Sequence, residues 1–320
     1  MSRSSPHISG YDVIGDIHGC ADMLRRLLAK LGYQEVDSIF SHPFRKVIFL
    51  GDLIDRGPDI REVVSIAKSM VEAGNAYAVL GNHEYNALIY DLLDMETINL
   101  QRKEKLRGLL AASLDQYKNY QADWQDALQW FKTLPIFLEF DGFRVVHACW
   151  DQSKIDQLSE VASSQCFADE NFLQQSIVWA TTENRIVERL LRGTDLMLPD
   201  GLTLTGRDGV VRHRFRTKFW AMSPKTYDDV IFQPDRLPEP VEHQLLTEKE
   251  KKQLVCYQKD EKPLFVGHYW RQGKPRLICS NIACLDYSAV KHGKLVAYRF
   301  DDGDVGLDVS KLAWVNEGLD

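Results

Sequence analysis

Gly51-Asp52-Leu53-Ile54-Asp55-Arg56-Gly57-Pro58 follows directly on the apolar run Lys46-Val47-Ile48-Phe49-Leu50. A continuous apolar run reads as a strand buried on both faces, and the glycine lets the chain turn sharply at its end. Two aspartates and an arginine then crowd one turn. The same grammar recurs on either side. Tyr11-Asp12-Val13-Ile14 runs into Gly15-Asp16-Ile17-His18-Gly19, and Ala76-Tyr77-Ala78-Val79-Leu80 runs into Gly81-Asn82-His83-Glu84. Between these runs the apolar residues switch to helical spacing. Met23, Leu24, Leu27, Leu28 and Leu31 precede Gly32, and Val63, Val64, Ile66, Ala67, Met70 and Val71 precede Gly74. Asp59 with Glu62 reads as a capping box opening the second helix. A third helix carries Leu88, Ile89, Leu92 and Leu93. This β-α-β-α-β-α order predicts an α/β fold with parallel strands under helical cover.

In open α/β sheets the functional groups gather at the carboxyl ends of the strands. Asp16, His18, Asp52, Asp55, Asn82 and His83 all sit there. Residues 96–134 read as helical, with Trp124 and Trp130 as core packing. A hairpin follows, from Ile136 to Phe140, through Asp141-Gly142, and from Phe143 to His147. Residues 151–262 mix helical and Pro- or charge-rich pieces and are expected to form an inserted cap within a single domain of residues 1–320. Strands return at Leu264-Phe265-Val266, Arg276 to Cys279 and Leu295 to Phe300, which predicts a second sheet packed on the first. The first of these runs ends on Gly267-His268.

The chain has 320 residues, 44% of them hydrophobic, and a net charge of -7, enough apolar material for a sizeable core. No basic cluster offers a face for extended nucleic acid. No run approaches the roughly 18 apolar residues of a membrane span, and the polar start carries no signal-like segment. Six scattered cysteines without a CxxC pair fit reduced thiols in a cytoplasmic protein. His7, His42, His213, His243 and His292 read as surface residues. The sequence leaves the oligomeric state open.

A mixed set of Asp, His and Asn at strand ends is the chemistry of a dinuclear metal centre. Two ions about 3.5–4 Å apart share a hydroxide and clamp the oxygens of an in-line displacement at phosphorus. Asp52 is the candidate bridging carboxylate. Asp16 and His18 complete one site, and Asn82, His147 and His268 the other. The donor mixture suits Mn²⁺ best, with Fe or Zn²⁺ as alternatives, and not the all-oxygen cage of Ca²⁺. His83, held by Asp55, is the candidate acid for the leaving group, and Arg56 the candidate phosphate clamp. Arg216 and Arg192 are the candidates for a second arginine. Asn82 and Tyr269 complete the substrate-side candidates, with Trp150, Tyr269 and Trp270 expected near the mouth of the cleft. Asp286, in Leu285-Asp286-Tyr287, reads as a structural turn.

In this order the motifs resemble those of the calcineurin-like metallophosphoesterases. The closest branch is the phosphoprotein-phosphatase family in its small bacterial forms. Gly15 to Gly19, Gly51 to Gly57, Gly81 to Glu84, His147 and His268 carry the resemblance. It implies a four-layer α/β/β/α sandwich, a pair of divalent ions, and attack by a metal-bound hydroxide without a phosphoenzyme. It spans residues 11 to 147 and 263 to 300. Ala148-Cys149-Trp150 and Tyr269-Trp270 depart from the family pattern. Gly19-Cys20 is shared with bacterial symmetrical diadenosine tetraphosphatases, which usually lack the counterparts of Asp55 and Glu84. The expectation is therefore a phosphatase acting on phosphoproteins. Dinucleoside polyphosphates, nucleotides or RNA ends are the alternative substrates, and an inactive phosphate-binding relative is the alternative of another class.

Overall fold

The computed structural model describes residues 8–95, 100–205, 211–232, 237, 239–290 and 292–318. In chain order, the first half opens with β1 (Gly10–Ile14), α1 (Ala21–Leu31), β2 (Arg45–Phe49), α2 (Ile60–Glu72), β3 (Ala76–Ala78) and α3 (Asn82–Met95). Then come α4 (Leu100–Leu109), α5 (Ala111–Tyr117), α6 (Gln121–Thr133), β4 (Phe137–Glu139) and β5 (Arg144–Val146). The second half holds α7 (Gln152–Val161), α8 (Glu170–Ser176), α9 (Thr182–Arg192), β6 (Thr194–Met197) and β7 (Arg214–Thr217). It ends with β8 (Leu264–Val266), β9 (Ile282–Cys284), β10 (Asp286–Tyr287), β11 (Lys294–Asp301) and β12 (Leu312–Asn316).

Two sheets form the centre. The first runs β10-β11-β1-β2-β3, with β12 on β11; β1, β2 and β3 are parallel and β11 antiparallel to β1. The second runs β9-β8-β5-β4, parallel across β9, β8 and β5. Alternation along the strands sorts their side chains. Val13, Ile48 and Leu50 from the first sheet meet Val145, Phe265 and Ala283 from the second in one apolar layer. Ile14, Val47 and Phe49 on one sheet, with Val146, Val266 and Ile282 on the other, face the helices instead. The layering is α/β/β/α, as the resemblance implies. Leu24, Leu27, Leu28 and Leu31 of α1 are buried against the first sheet, each worth about 1.5–3 kcal/mol of transfer free energy. Trp124 and Trp130 of α6 join the same core.

Residues 151–262 divide by core. Ile155, Leu158, Ile186, Val187, Leu190 and Leu191 of α7 and α9 pack into the main helical layer. Leu196, Phe215, Tyr227, Val230 and Leu246 make a small core of their own around the antiparallel pair β6 and β7. The whole segment lies between β5 and β8, which are neighbours in the second sheet.

Two local expectations change. Asp59 is the N-cap of α2 but makes no side-chain cap; Gln116 Oε1 accepts the Ile60 N–H at 2.7 Å instead, and Glu62 turns outward to Arg25. Arg276 to Cys279 is not a strand. Cys279 turns back to bridge Ile282, and the wholly buried Ile282-Ala283-Cys284 takes the place beside β8. His7 lies outside the described residues. Among the others, His213, His243 and His292 are exposed and His42 is half-buried. All six cysteines are free.

Candidate metal centre

Most strands of the parallel stretches deliver a candidate ligand soon after they end. Asp16 and His18 follow β1, Asp52 follows β2, Asn82 and His83 open α3 after β3, and His147 and His268 follow β5 and β8. Five of these turn residues sit in the left-handed region: His18 (φ 48), Asp52 (φ 50), Asp55 (φ 68), Arg56 (φ 71) and His268 (φ 60). Non-glycine residues pay for that conformation, and such strain collects at working sites. Gly267 is required for a different reason. A Cβ there would lie 2.0 Å from Asp16 Oδ1, so only glycine lets β8 end against that carboxylate.

The ligand atoms converge. Asp16, Asp52 and His147 form one group with metal-binding spacing, and His18, Asp52 and His83 another; Asp52 belongs to both. His147 Nε2 is 3.4 Å from Asp52 Oδ1, and His18 Nε2 is 3.6 Å from Asp52 Oδ2. Asn82 Oδ1 stands 3.1 Å from His147 Nε2 and 2.7 Å from His268 Nδ1. The second nitrogens explain the orientations. His18 Nδ1 donates to Ile54 O and His147 Nδ1 to Leu50 O, both at 2.7 Å, so each Nε2 lone pair is turned to the centre. The His147 lone pair then faces the Asn82 carbonyl oxygen, and His18 Nε2 is buried without a hydrogen-bond partner. Lone pairs facing lone pairs in a buried site are a poor arrangement for protein alone and a good one for cations. The residues fit divalent metal ions on that ground.

Charges agree. Burial opposes ionisation of Asp52, but His147, His83 and His18 outweigh it and hold the carboxyl well below its ordinary range. Burial pushes Asp16 up, with Asp286 and Asp52 adding to it. Burial holds His18 and His268 low; His83 lowers the first further, and Arg216 the second. Asp286 is buried beside Asp16, where burial also raises its carboxyl. Its Oδ1 also accepts the Ser288 N–H at 2.9 Å, the turn contact that the sequence reading expects. Asp286 opens β10, separated from the end of β9 by the single residue Leu285.

The proton-handling side is a chain of contacts. His83 Nδ1 lies 2.6 Å from Asp55 Oδ2, and His83 Nε2 lies 3.2 Å from Arg56 Nη2. A guanidinium has no lone pair, so Arg56 donates, Nε2 accepts and Nδ1–H donates to Asp55. Burial lowers the basicity of His83, yet Asp52 and the Asp55 bond raise it above the ordinary value. Arg56 itself is exposed.

Ser113 goes unread in the sequence, and Glu84 reads there as a motif residue without a role. Ser113 of α5, fully buried, donates to Asp55 Oδ1. Its distance of 58 positions from Asp55 carries no motif signal. Glu84 spends its carboxylate on four backbone N–H groups: Asp52 and Gly81 on Oε2, Leu53 and Ile54 on Oε1, at 2.8–3.2 Å. Burial and Asp52 push this carboxyl up to about 7, whereas the four donors are arranged as an ionised carboxylate requires.

Arg216 Nη1 donates to His268 O at 3.3 Å and lies over the Tyr269 ring. Arg192 holds Asn86 Oδ1 at 2.7 Å, one turn along α3 from the candidate ligand Asn82. Tyr269 is not at the mouth. It is wholly buried behind His268, packed edge-on by Trp220 and Phe232 from the segment between β5 and β8. Trp150 is buried as well, and Trp270 is half-buried.

Comparison with known proteins places this geometry. A family model described as calcineurin-like phosphoesterase matches residues 11–268. The asymmetrical bis(5'-nucleosyl)-tetraphosphatase PrpE of Halalkalibacterium halodurans is 46% identical over 74 residues, 23% of this chain and 30% of that protein. The protein of the same name from a Geobacillus species is 49% identical over 73 residues, 22% of this chain and 30% of that one. The chain thus spans less than a third of the length of these curated relatives. Among solved structures, a protein serine/threonine phosphatase from Saccharomyces cerevisiae aligns with 99% of this chain and 82% of its own, at 15% identity and a TM-score of 0.49. A cold-active protein-tyrosine phosphatase of a psychrophilic Shewanella aligns with 92% of this chain and 77% of its own, at 19% identity and a TM-score of 0.47. With the family model covering most of its length and the ligand groups gathered at the strand ends, the chain belongs to the calcineurin-like phosphoesterase family.

Proposed function

We propose that this protein is a metal-dependent phosphoester hydrolase that cleaves phosphomonoesters, above all those of serine, threonine and tyrosine in phosphoproteins. The observation that carries the reading is the Asp55–His83 pair beside the shared carboxylate Asp52. An alkoxide is a poor leaving group and needs a proton as it departs, and a histidine held by a carboxylate can deliver one.

Asp16, His18 and Asp52 would hold one ion, and Asp52, Asn82, His147 and His268 the other. Mn²⁺ is the ion this donor set favours, with Fe and Zn²⁺ next. Bound there, the ions supply charge neutralisation and an activated water. The chain's own groups do the rest. Arg56, exposed beside His83, grips two phosphoryl oxygens as a planar donor. Turning to the phosphate takes Arg56 Nη2 off His83 Nε2, and that nitrogen is then free to carry the proton for the leaving oxygen. Asp55 keeps the ring in place from the other side and stabilises its charged form. Asn82 belongs to both the ligand set and the substrate side. Arg216 and Arg192 add positive charge beside His268, and Arg216 is the stronger candidate for a second phosphate contact because it touches the His268 backbone. Tyr269 supports Arg216 from below and does not meet substrate.

We further read residues 1–320 as one domain with 151–262 inserted. The segment leaves after β5 and returns at β8, its direct neighbour in the sheet, which supports the reading. A cytoplasmic setting is part of it, supported by the free thiols. No described helix is long and apolar enough to cross a membrane.

The names of the PrpE relatives favour a second reading, hydrolysis of dinucleoside polyphosphates. A phosphate leaving group there needs little help from His83. The test is turnover with Mn²⁺ on phosphoserine, phosphothreonine and phosphotyrosine peptides, set against diadenosine tetraphosphate and a nucleoside monophosphate. Peptides are expected to lead by kcat/KM; a lead for the dinucleotide would replace the first reading by the second. No metal-dependent turnover on any of them would leave the phosphate-binding relative.

A further inference from the structure

The helix α5 reaches the Asp55 turn with two side chains one turn apart. Gln116 takes the Ile60 N–H at 2.7 Å and gives its own N–H to Gly57 O at 2.9 Å. Ser113 does something more specific. Its hydroxyl donates to Asp55 Oδ1, and the same oxygen accepts the Asp55 backbone N–H at 3.0 Å. One hydroxyl therefore closes a ring through the backbone and the side chain of a single aspartate. That ring fixes the Asp55 side-chain torsion while holding a residue whose φ is +68°. The other carboxylate oxygen, Oδ2, is left for His83 Nδ1 at 2.6 Å.

Ser113 and Asp55 are wholly buried and His83 nearly so, so bulk solvent has little access to replace the hydroxyl. Without it, Asp55 would lose one acceptor bond and one donor bond together, and its carboxylate could turn about the remaining bond to His83. Its competitor in the same site is Arg56, which approaches the far nitrogen of the same ring.

We propose that Ser113 is a positioning residue for the leaving-group proton: it sets the direction in which Asp55 holds His83, and so the aim of His83 Nε2. This rests on the phosphoesterase reading above. Among the described residues the Ser113 hydroxyl bonds only to Asp55, which is not a candidate metal ligand, so its loss should leave metal stoichiometry and KM in place and lower kcat selectively, where the leaving group needs a proton.

The experiment compares Ser113→Ala, Ser113→Cys and Ser113→Thr with Gln116→Ala and the unaltered protein, all Mn²⁺-loaded. Each is assayed on p-nitrophenyl phosphate, whose leaving group departs unaided, and on a phosphoserine peptide, whose leaving group does not. Ser113→Ala is expected to lower kcat on the phosphopeptide on the order of tenfold or more, as loss of an outer-shell partner does, and on p-nitrophenyl phosphate by less than about threefold. KM should stay within about twofold. Ser113→Thr keeps the hydroxyl and should recover most of the loss; Ser113→Cys, a weaker donor, should fall between. Gln116→Ala loosens the same helix without touching Asp55 and should leave the ratio between the two substrates unchanged. Equal losses on both substrates for Ser113→Ala, or the same pattern for Gln116→Ala, would reduce Ser113 to helix docking and overturn the proposal. If Ser113→Ala does not fold, the Ser113→Cys ratio decides alone. If the unaltered protein turns over neither substrate, the phosphoesterase reading fails, and that is visible before any variant is compared.

Discussion

At His83 the two ring nitrogens face opposite partners, Asp55 on one side and Arg56 on the other. That arrangement makes a strong demand on any substitution. His83→Asn can still meet Asp55 but cannot carry the proton. We expect kcat on a phosphoserine peptide to fall by on the order of 10²–10⁴ with metal retained, and far less on p-nitrophenyl phosphate. Equal loss on both would remove His83 from the acid role. His83 was legible from the sequence because it sits next to Asn82 in Gly81-Asn82-His83-Glu84. Ser113 was not, because a serine in a helix has no signature until its fold neighbour is known.

Helices and strands set the ligand geometry through their ends. The first turn of α3 carries Asn82 and His83 and also Glu84, which ties the turn after β2 to the turn after β3 by four N–H bonds. Glu84→Gln keeps the shape but sets an N–H donor against two of those N–H groups. A buried donor left unsatisfied costs about 1–3 kcal/mol, so a loss of about 3 kcal/mol or more in denaturant unfolding is expected, with weakened metal binding through Asp52. An unchanged unfolding midpoint would show that the clamp is dispensable. At this scale the sequence was informative for α1 to α3 and β1 to β3, whose apolar periods are long and clean. It misplaced the strand near residue 280. There two short apolar runs compete, and only the vacancy beside β8 selects between them.

For the whole molecule, the buried centre couples stability, metal and pH. His18 and His268 are held below their ordinary value, so their contribution to stability is present above the unfolded value near about 6.5 and is lost as pH falls toward the depressed folded values. Asp16 and Asp286 are raised by burial, so theirs is present below the unfolded value near about 3.9 and is lost as pH rises through the raised folded values. Divalent metal would require Asp16, His18 and His268 without their protons. The rise in Tm on adding Mn²⁺ to chelator-treated protein should therefore grow as the pH is raised from about 5 to about 8. A rise that is flat across that range would count against a centre built from these groups.

The sequence by itself determined the α/β class and set Asp16, His18, Asp52, Asn82, His147 and His268 at strand ends as candidate ligands. These are local facts: an apolar period, a glycine, then a ligand residue type. Only the tertiary structure decided what surrounds that set. It buried Tyr269 behind His268, drew Asp286 in beside Asp16, and brought Ser113 to Asp55 across 58 positions of chain. Those placements depend on which elements pack against which, and a single side chain contributes too little to the local pattern to announce its distant neighbour.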